Sequence, residues 1–210
     1  MRFRIGKVNV SAGFFFFAAA AYFLSADMAK NFLWAVLFSS LHECGHLAAL
    51  SAFHCPVESI TLGPVGIRID QKDLPLSYGK ECIVALCGPA VNLLCMAVCL
   101  IGKNFSAAFS LPLALNTGLF VINMLPIEPL DGGRILRMLL LMKSSPEKAE
   151  KVLEASQTVI VILLIAVLLL SLIFDFVNTS FVLFVGGLVV MIVSRLIFPG
   201  KYTKKQRICR

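Results

Sequence analysis

The sequence has few charged side chains and almost no histidine. Asp, Glu, Lys and Arg make up 15% of its 210 residues, whereas about a quarter is usual in soluble domains. Three residues are histidine, and hydrophobic types reach 59%. This composition excludes an ordinary water-soluble domain and predicts an integral membrane protein, because so much apolar surface is stable only in lipid.

The chain also lacks the cysteine spacing of redox and zinc-ribbon motifs. Its seven cysteines include no C-x-x-C pair, and most lie in apolar runs, so we interpret them as buried hydrophobic side chains. Nothing in the sequence resembles a PDZ module, a nucleotide-binding fingerprint or an internal repeat. We therefore predict a single transmembrane domain over residues 1–210.

The apolar residues are concentrated in six stretches, each close to the ~20 residues that a helix needs to cross a bilayer. They cover residues 9–25, 31–53, 81–102, 107–125, 153–174 and 180–198. If both termini are cytoplasmic, seventeen Lys and Arg residues lie on that side and two on the other, as the positive-inside rule requires. The pattern predicts an all-α polytopic membrane protein of about six transmembrane helices. The net charge of +7 and the basic tail 199–210 then indicate orientation and contact with the lipid bilayer, and no nucleic acid is expected.

Two of the three histidines lie in the second apolar stretch, where residues 41–50 read LHECGHLAAL. His42, Glu43 and His46 form the pattern H-E-x-x-H, and residues four apart share one face of a helix. Two imidazoles can therefore bind one metal ion while the glutamate reaches a water molecule at that ion. Ionisable residues at membrane depth are costly and usually functional. The pattern predicts a zinc site with Glu43 as general base.

A zinc site of this kind needs a third protein ligand. The end of the fourth stretch, FVINMLPIEPLDGGRIL, offers Glu128 and Asp131. Two prolines interrupt the helix there, and a glycine pair follows; such irregular backbone at membrane depth is tolerated only when it is buried in protein or lines a cavity. Asp131 suits a metal ligand or the N-cap of a helix over 132–142, and the two roles are compatible.

Three motifs in this order resemble one known family. HECGH in the second stretch, CGPAVN (Cys87 to Asn92) in the third and NMLPIEPLDGGRIL after the fourth resemble the site-2 protease family of M50-type intramembrane zinc metalloproteases. The resemblance covers most of residues 30–142. Within the family, the chain is most similar to the compact bacterial sporulation branch that processes a pro-sigma factor.

The resemblance implies one Zn²⁺ per chain, bound by His42, His46 and Asp131, with Glu43 as catalytic base. It implies a core of three helices in a multi-pass protein of the bacterial cell membrane, with the other spans accessory. The implied reaction is hydrolysis of a membrane-spanning or membrane-tethered protein near the cytoplasmic face. That cleavage releases a regulator such as a sigma factor, and the resemblance leaves room for an inhibitory membrane partner.

Some features depart from the family or allow two interpretations. Relatives often carry a PDZ or CBS domain, and neither is expected here. Glu128 stands where relatives usually have an uncharged residue, so it is either a gate-lining carboxylate or a solvated loop charge. Asn92 and Asn123 could hydrogen-bond the substrate backbone or the oxyanion, or they could hold helices together.

Residues 57–70, VESITLGPVGIRID, predict a short β-hairpin at the cytoplasmic membrane edge. Such a hairpin could bind an extended substrate as an added strand, or it could be a plain connection. Two other function classes stay open: a cation transporter and an inactive relative that serves as a scaffold. The lack of paired broken helices argues against the first, and the intact set of ligands and base argues against the second.

Overall fold

The computed structural model describes residues 2–5, 8–12, 29–63, 66–71, 76–128 and 130–173, together with residues 186 and 189. The chain is mostly helical, as predicted. In order, its elements are β1 (Arg2–Ile5), β2 (Val8–Ala12), α1 (Ala29–Ala52), β3 (Val57–Gly63), β4 (Gly66–Gln71), α2 (Tyr78–Lys103), a 3-10 turn (Ala107–Phe109), α3 (Ser110–Asn123), α4 (Asp131–Lys143) and α5 (Pro146–Ile173).

The chain divides into two compact units, Met1–Leu125 and Pro126–Arg210. We call them the amino-terminal unit and the carboxyl-terminal unit. The single domain expected over residues 1–210 stays a prediction.

The helices α1, α2 and α3 pack on one another in the amino-terminal unit. Their best-buried apolar cluster consists of Ala49, Leu50, Cys55 and Val84. Ala49 and Leu50 follow His46 by three and four residues, so the cluster lies one helical turn beyond that histidine. The predicted histidine helix over 31–53 therefore corresponds to α1, and its buried face carries both the cluster and the histidines.

The third histidine ends α1. His54 has a φ of 55°, its N–H bonds to the Ser51 carbonyl, and the Cys55 N–H bonds to the Leu50 carbonyl at 2.9 Å. This is the Schellman pattern, in which a residue in the left-handed region satisfies the last carbonyl groups of a helix. His54 is exposed and belongs to the end of the helix.

Four strands of the amino-terminal unit form one sheet in the order β1-β2-β3-β4. β1 pairs antiparallel with β2, β2 pairs parallel with β3, and β3 pairs antiparallel with β4. The stretch for which a hairpin was predicted contains β3 and β4. The span predicted from residue 9 is wrong at its start, because residues 8–12 bond to β3 in a sheet. Its remainder lies outside the described residues, as does most of the predicted span 180–198.

Two of the described helices are long and apolar enough to cross a membrane: Tyr78–Lys103 and the Pro146–Leu170 part of α5. The segment Ala107–Asn123 is also apolar but shorter. Only 33% and 17% of the most apolar windows of the two long helices are buried in the protein. Large exposed side chains such as Leu94, Val98 and Ile162 therefore need a non-aqueous surrounding, which lipid provides.

The carboxyl-terminal unit contains the helical hairpin of α4 and α5. α5 begins at Pro146, a favoured residue for the first helical position, since it has no N–H to leave unsatisfied. Ala149 and Leu153 are 1% and 2% exposed, so one stripe of the charged segment 143–154 packs inward. The charged residues 146–154 thus form the start of α5.

Candidate metal centre

His42 and His46 lie on the buried face of α1 and are 4% and 6% exposed. Their spacing of four residues places one ring above the other along the helix. The two Nε2 atoms are 3.1 Å apart, and the rings meet edge to face with centroids 4.8 Å apart. The helix alone therefore brings one nitrogen of each ring to a common point.

Both rings are oriented by α2. Nδ1 of His46 lies 2.8 Å from the carbonyl oxygen of Val84, which can only accept, so His46 carries its proton on Nδ1. Nδ1 of His42 lies 3.1 Å from the side-chain amide of Asn92. A hydrogen bond at Nδ1 leaves Nε2 to face a metal, the usual arrangement of histidine ligands.

Two glycines let α1 and α2 approach closely at the histidines. A Cβ at Gly45 would come within 2.5 Å of the Cys87 carbonyl oxygen, and a Cβ at Gly88 would overlap the His46 ring and lie 2.8 Å from Cε1 of His42. The motif CGPAVN therefore supplies a glycine opposite the rings and, one turn later, the amide that contacts His42.

Asp131 is the first residue of α4 in the carboxyl-terminal unit and is 6% exposed. The helix begins at Asp131, one residue before the predicted start at residue 132. Its N-cap is therefore Leu130 and not Asp131. A carboxylate in the first turn is stabilised by the helix dipole and its free N–H groups. The start of α4 is therefore a favourable position for an anionic oxygen ligand.

The loop before Asp131 is packed against its own unit. Ile127 is fully buried, and a Cβ at Gly133 would overlap the backbone of Ile127, so only glycine fits there. The Ser156 hydroxyl donates to the Pro126 carbonyl at 3.3 Å. Gly133 of the glycine pair thus acts through close approach, and it holds the residues that lead into Asp131.

A charged cluster supports the same loop. Nε of Arg137 lies 3.5 Å from Oε1 of Glu128, and its Nη2 lies 2.8 Å from Oε1 of Glu150. Glu128 is therefore part of an ion-pair cluster, and neither interpretation considered for it from the sequence, a gate carboxylate or a solvated charge, included this partner. The sequence alone does not predict this ion pair, because an arginine nine residues after a glutamate does not by itself indicate a contact.

His42 and His46 of the amino-terminal unit and Asp131 of the carboxyl-terminal unit are all buried, and their side chains are of types that bind a metal ion. Two imidazole nitrogens and one carboxylate oxygen, with a fourth position left for water, match the ligand set of a catalytic zinc. The donor chemistry therefore fits zinc.

The other predicted residues lie in the amino-terminal unit. Glu43 follows His42 on α1 and is half-buried. Asn123 is the last residue of α3 and is half-buried, and no hydrogen bond joins its side chain to either histidine among the described residues. Sequence reasoning missed Asn116, which is fully buried and donates to the Asn92 carbonyl at 2.7 Å. The sequence feature that could have indicated Asn116 is its amide side chain within an apolar stretch.

Comparison with known proteins finds a solved structure of similar fold and a matching family model. The structure of a site-2 protease from Methanocaldococcus jannaschii matches 88% of this chain and 89% of its own length, with a TM-score of 0.66 and 24% identity. That likeness shows the fold. Residues 100–167 match the family model of peptidase family M50.

Two curated relatives add to this match. A zinc metalloprotease of M. jannaschii is 32% identical over 139 residues, which are 60% of this chain and 40% of that protein. The stage IV sporulation protein FB of Bacillus subtilis is 28% identical over 152 residues, 69% and 51% of the two chains. The chain spans about half the length of these relatives. These matches show similarity to zinc metalloproteases of peptidase family M50.

Proposed function

We propose that this chain is an intramembrane zinc metalloprotease that hydrolyses a peptide bond of a membrane-spanning or membrane-tethered protein. In this proposal His42, His46 and Asp131 hold the zinc ion, and Glu43 is the catalytic base. The observation that carries the proposal is the pair of buried imidazoles on α1 whose Nε2 atoms lie 3.1 Å apart. The kinship with M50 zinc metalloproteases supports it.

The chain's residues divide the chemistry between them. Zinc, when bound, acidifies a water molecule and polarises the carbonyl of the scissile bond. Glu43 accepts the proton of that water and later donates it to the leaving amine, so that the proton balance closes. The Nδ1 hydrogen bonds of both histidines keep their Nε2 atoms directed at the ion.

Asn123 is the proposed contact for the substrate backbone or the oxyanion. It ends α3 at the point where the apolar helix gives way to the loop toward Asp131. Its carboxamide can donate to a carbonyl oxygen and accept from a backbone N–H. Asn92 stays a candidate for the same role, although its contacts with His42 and Asn116 favour the interpretation that it holds helices together.

The proposed location is a multi-pass position in a bacterial cell membrane with both termini cytoplasmic. The two long apolar helices with exposed side chains support membrane insertion, and the basic residues at the predicted cytoplasmic side support this orientation. The six-span arrangement is part of the same proposal. The strands β3 and β4 would lie at the membrane edge, where a sheet edge can hold a substrate extended.

The proposed substrate is a membrane-tethered regulator such as a pro-sigma factor. The kinship with a protein named for stage IV of sporulation supports this choice. An inhibitory membrane partner would restrain such an enzyme until cleavage is needed. Release of the regulator near the cytoplasmic face follows from the proposed orientation.

Co-expression with tethered candidate pro-sigma factors tests the proposal. We expect Glu43→Gln to lower cleavage by about 10²–10⁴-fold, the usual contribution of general base catalysis, while zinc bound per chain is unchanged. Glu147→Gln, which removes an exposed glutamate from the first turn of α5, is the matched control. Cleavage by Glu43→Gln at the parental rate would refute the proposal.

A further inference from the structure

Asn116 is connected to the histidine pair through Asn92. The side-chain amide of Asn116 on α3 donates to the backbone carbonyl of Asn92 on α2 at 2.7 Å. The side-chain amide of Asn92 in turn lies 3.1 Å from Nδ1 of His42 on α1. Both asparagines are fully buried and His42 is 4% exposed, and a hydrogen bond in such an interior is stronger than one in water. Two short contacts thus join α3 to a ring that is a proposed zinc ligand.

A buried amide at position 116 costs free energy unless it makes a useful hydrogen bond. Asn116 lies in the middle of α3, an apolar helix in which an apolar side chain would bury no polar atom. Its Oδ1 is buried without a hydrogen-bond partner among the described residues. The donation to the Asn92 carbonyl is therefore the interaction that Asn116 contributes to the structure.

The part of α2 that receives this bond has a weakened helical backbone. Pro89 lies inside the helix and has no N–H, so the carbonyl of Ala85 lacks the bond that position 89 would otherwise supply. The preceding residue is Gly88, and glycine is, after proline, the least favourable residue in a helix interior. Asn92 follows Pro89 within one helical turn. A bond from α3 to the Asn92 carbonyl therefore fixes a segment that its own helix holds less firmly.

We propose that Asn116 is a positioning residue that acts through Asn92 on His42. This inference rests on the proposed zinc site. Because Asn116 fixes the backbone of Asn92, it sets where the Asn92 amide meets the imidazole, and contacts of this kind orient metal-binding rings. If Asn116 served only to pack α3 on α2, its loss would lower stability and leave zinc affinity unchanged.

The test measures zinc affinity and stability separately, on the full chain in detergent. Zinc affinity is measured by competition with a chromophoric chelator, and the thermal midpoint is measured on zinc-free protein because bound metal would itself raise it. Leucine resembles asparagine in shape and has no donor. We expect Asn116→Leu to weaken zinc affinity by about tenfold, the low end of the range for partners of metal-bound histidines. Asn116→Ala removes the donor without placing a bulky apolar group at the carbonyl, and it should weaken affinity in the same direction.

Thr117→Val is the matched control on the same helix. The Thr117 hydroxyl donates at 2.7 Å to the Leu113 carbonyl of α3 itself, so valine, which has the same shape, removes a hydrogen bond that does not reach α2. We expect Thr117→Val to keep the zinc affinity of the parent. An equal loss of affinity in Thr117→Val and Asn116→Leu would overturn the inference, because any change in α3 would then have the same effect.

A double-mutant cycle with Asn92→Leu tests the path through Asn92. Without the Asn92 amide the connection to His42 is lost, so Asn116→Leu should change zinc affinity by no more than about twofold in that background. It should still lower the thermal midpoint there, since the backbone carbonyl of residue 92 is kept. Parental affinity in both Asn116 variants, or a further loss of about tenfold in the Asn92→Leu background, would overturn the inference. A parent chain that binds no more zinc than His46→Ala would instead overturn the proposed function.

Discussion

The histidine pair and Asp131 are held in place by different kinds of interaction. The histidines lie in the middle of a helix whose neighbour approaches through two glycines, and their Nδ1 atoms bond to groups of that neighbour. Asp131 stands at the first position of a short helix, after a loop supported by one close glycine contact and one arginine. The first support depends on close packing, the second largely on loop geometry and charge.

This difference predicts how the metal ligands on each element respond to substitution of the residues that support them. Close-packed helices have no spare volume, so one added methyl group moves the rings themselves. A loop can shift by a fraction of an ångström and still carry its carboxylate. An ion-pair cluster that is partly exposed contributes least, since water competes with it. We therefore expect the effects of substitution to decrease from Gly88 through Gly133 to Arg137.

The largest effect is expected at Gly88. In Gly88→Ala the new methyl group overlaps the His46 ring and approaches His42, so neither Nε2 can stay in place. We expect loss of tightly bound zinc, measured per chain by elemental analysis, and a loss of about 1–3 kcal/mol in unfolding free energy from overpacking. Gly79→Ala in the same helix meets no atom within 4 Å and should keep parental zinc content. Normal zinc in Gly88→Ala would contradict the packing account.

A smaller effect is expected at Gly133. The methyl group of Gly133→Ala meets the backbone of Ile127, so the loop before Asp131 must move while the histidines are untouched. We expect weaker zinc binding with parental stoichiometry at high zinc, because two of three ligands stay in place. Gly118→Ala, which meets open space in α3, should bind zinc as the parent does and gain up to about 1 kcal/mol in helix stability. Equal behaviour of the two variants would show that the loop needs no close contact.

The smallest effect is expected in the charged cluster. Arg137→Met leaves Glu128 and Glu150 without this partner, and we expect a loss of about 1–2 kcal/mol in unfolding free energy, between an exposed and a buried pair. The side chain of Glu150 is 41% exposed, so Glu150→Gln should cost less than the arginine change. Thermal unfolding of both variants in detergent measures the difference. A larger loss in Glu150→Gln would assign the support of the loop to α5 and not to Arg137.

Several parts of this architecture could be predicted from local pattern. The helices α1 and α2 run within a few residues of the stretches expected from hydropathy, since an apolar run of that length has few other stable conformations in lipid. The start of the chain could not be predicted in this way. Residues 8–12 belong to an apolar run, yet they pair with β3, a segment about fifty residues away in sequence. Such pairing depends on partner strands that a hydropathy pattern does not identify.

The sequence by itself determined the spacing of His42 and His46, because the helical repeat places residues four apart on one face wherever the helix forms. It also determined the residue types that suit zinc and the glycines that tolerate close contact. Only the tertiary structure decided what each side chain meets: Asn92 at His42, Asn116 at the Asn92 carbonyl, Arg137 at Glu128. The physical reason is that hydrogen bonds and ion pairs act over a few ångströms, and distances on that scale between separate segments are set by packing.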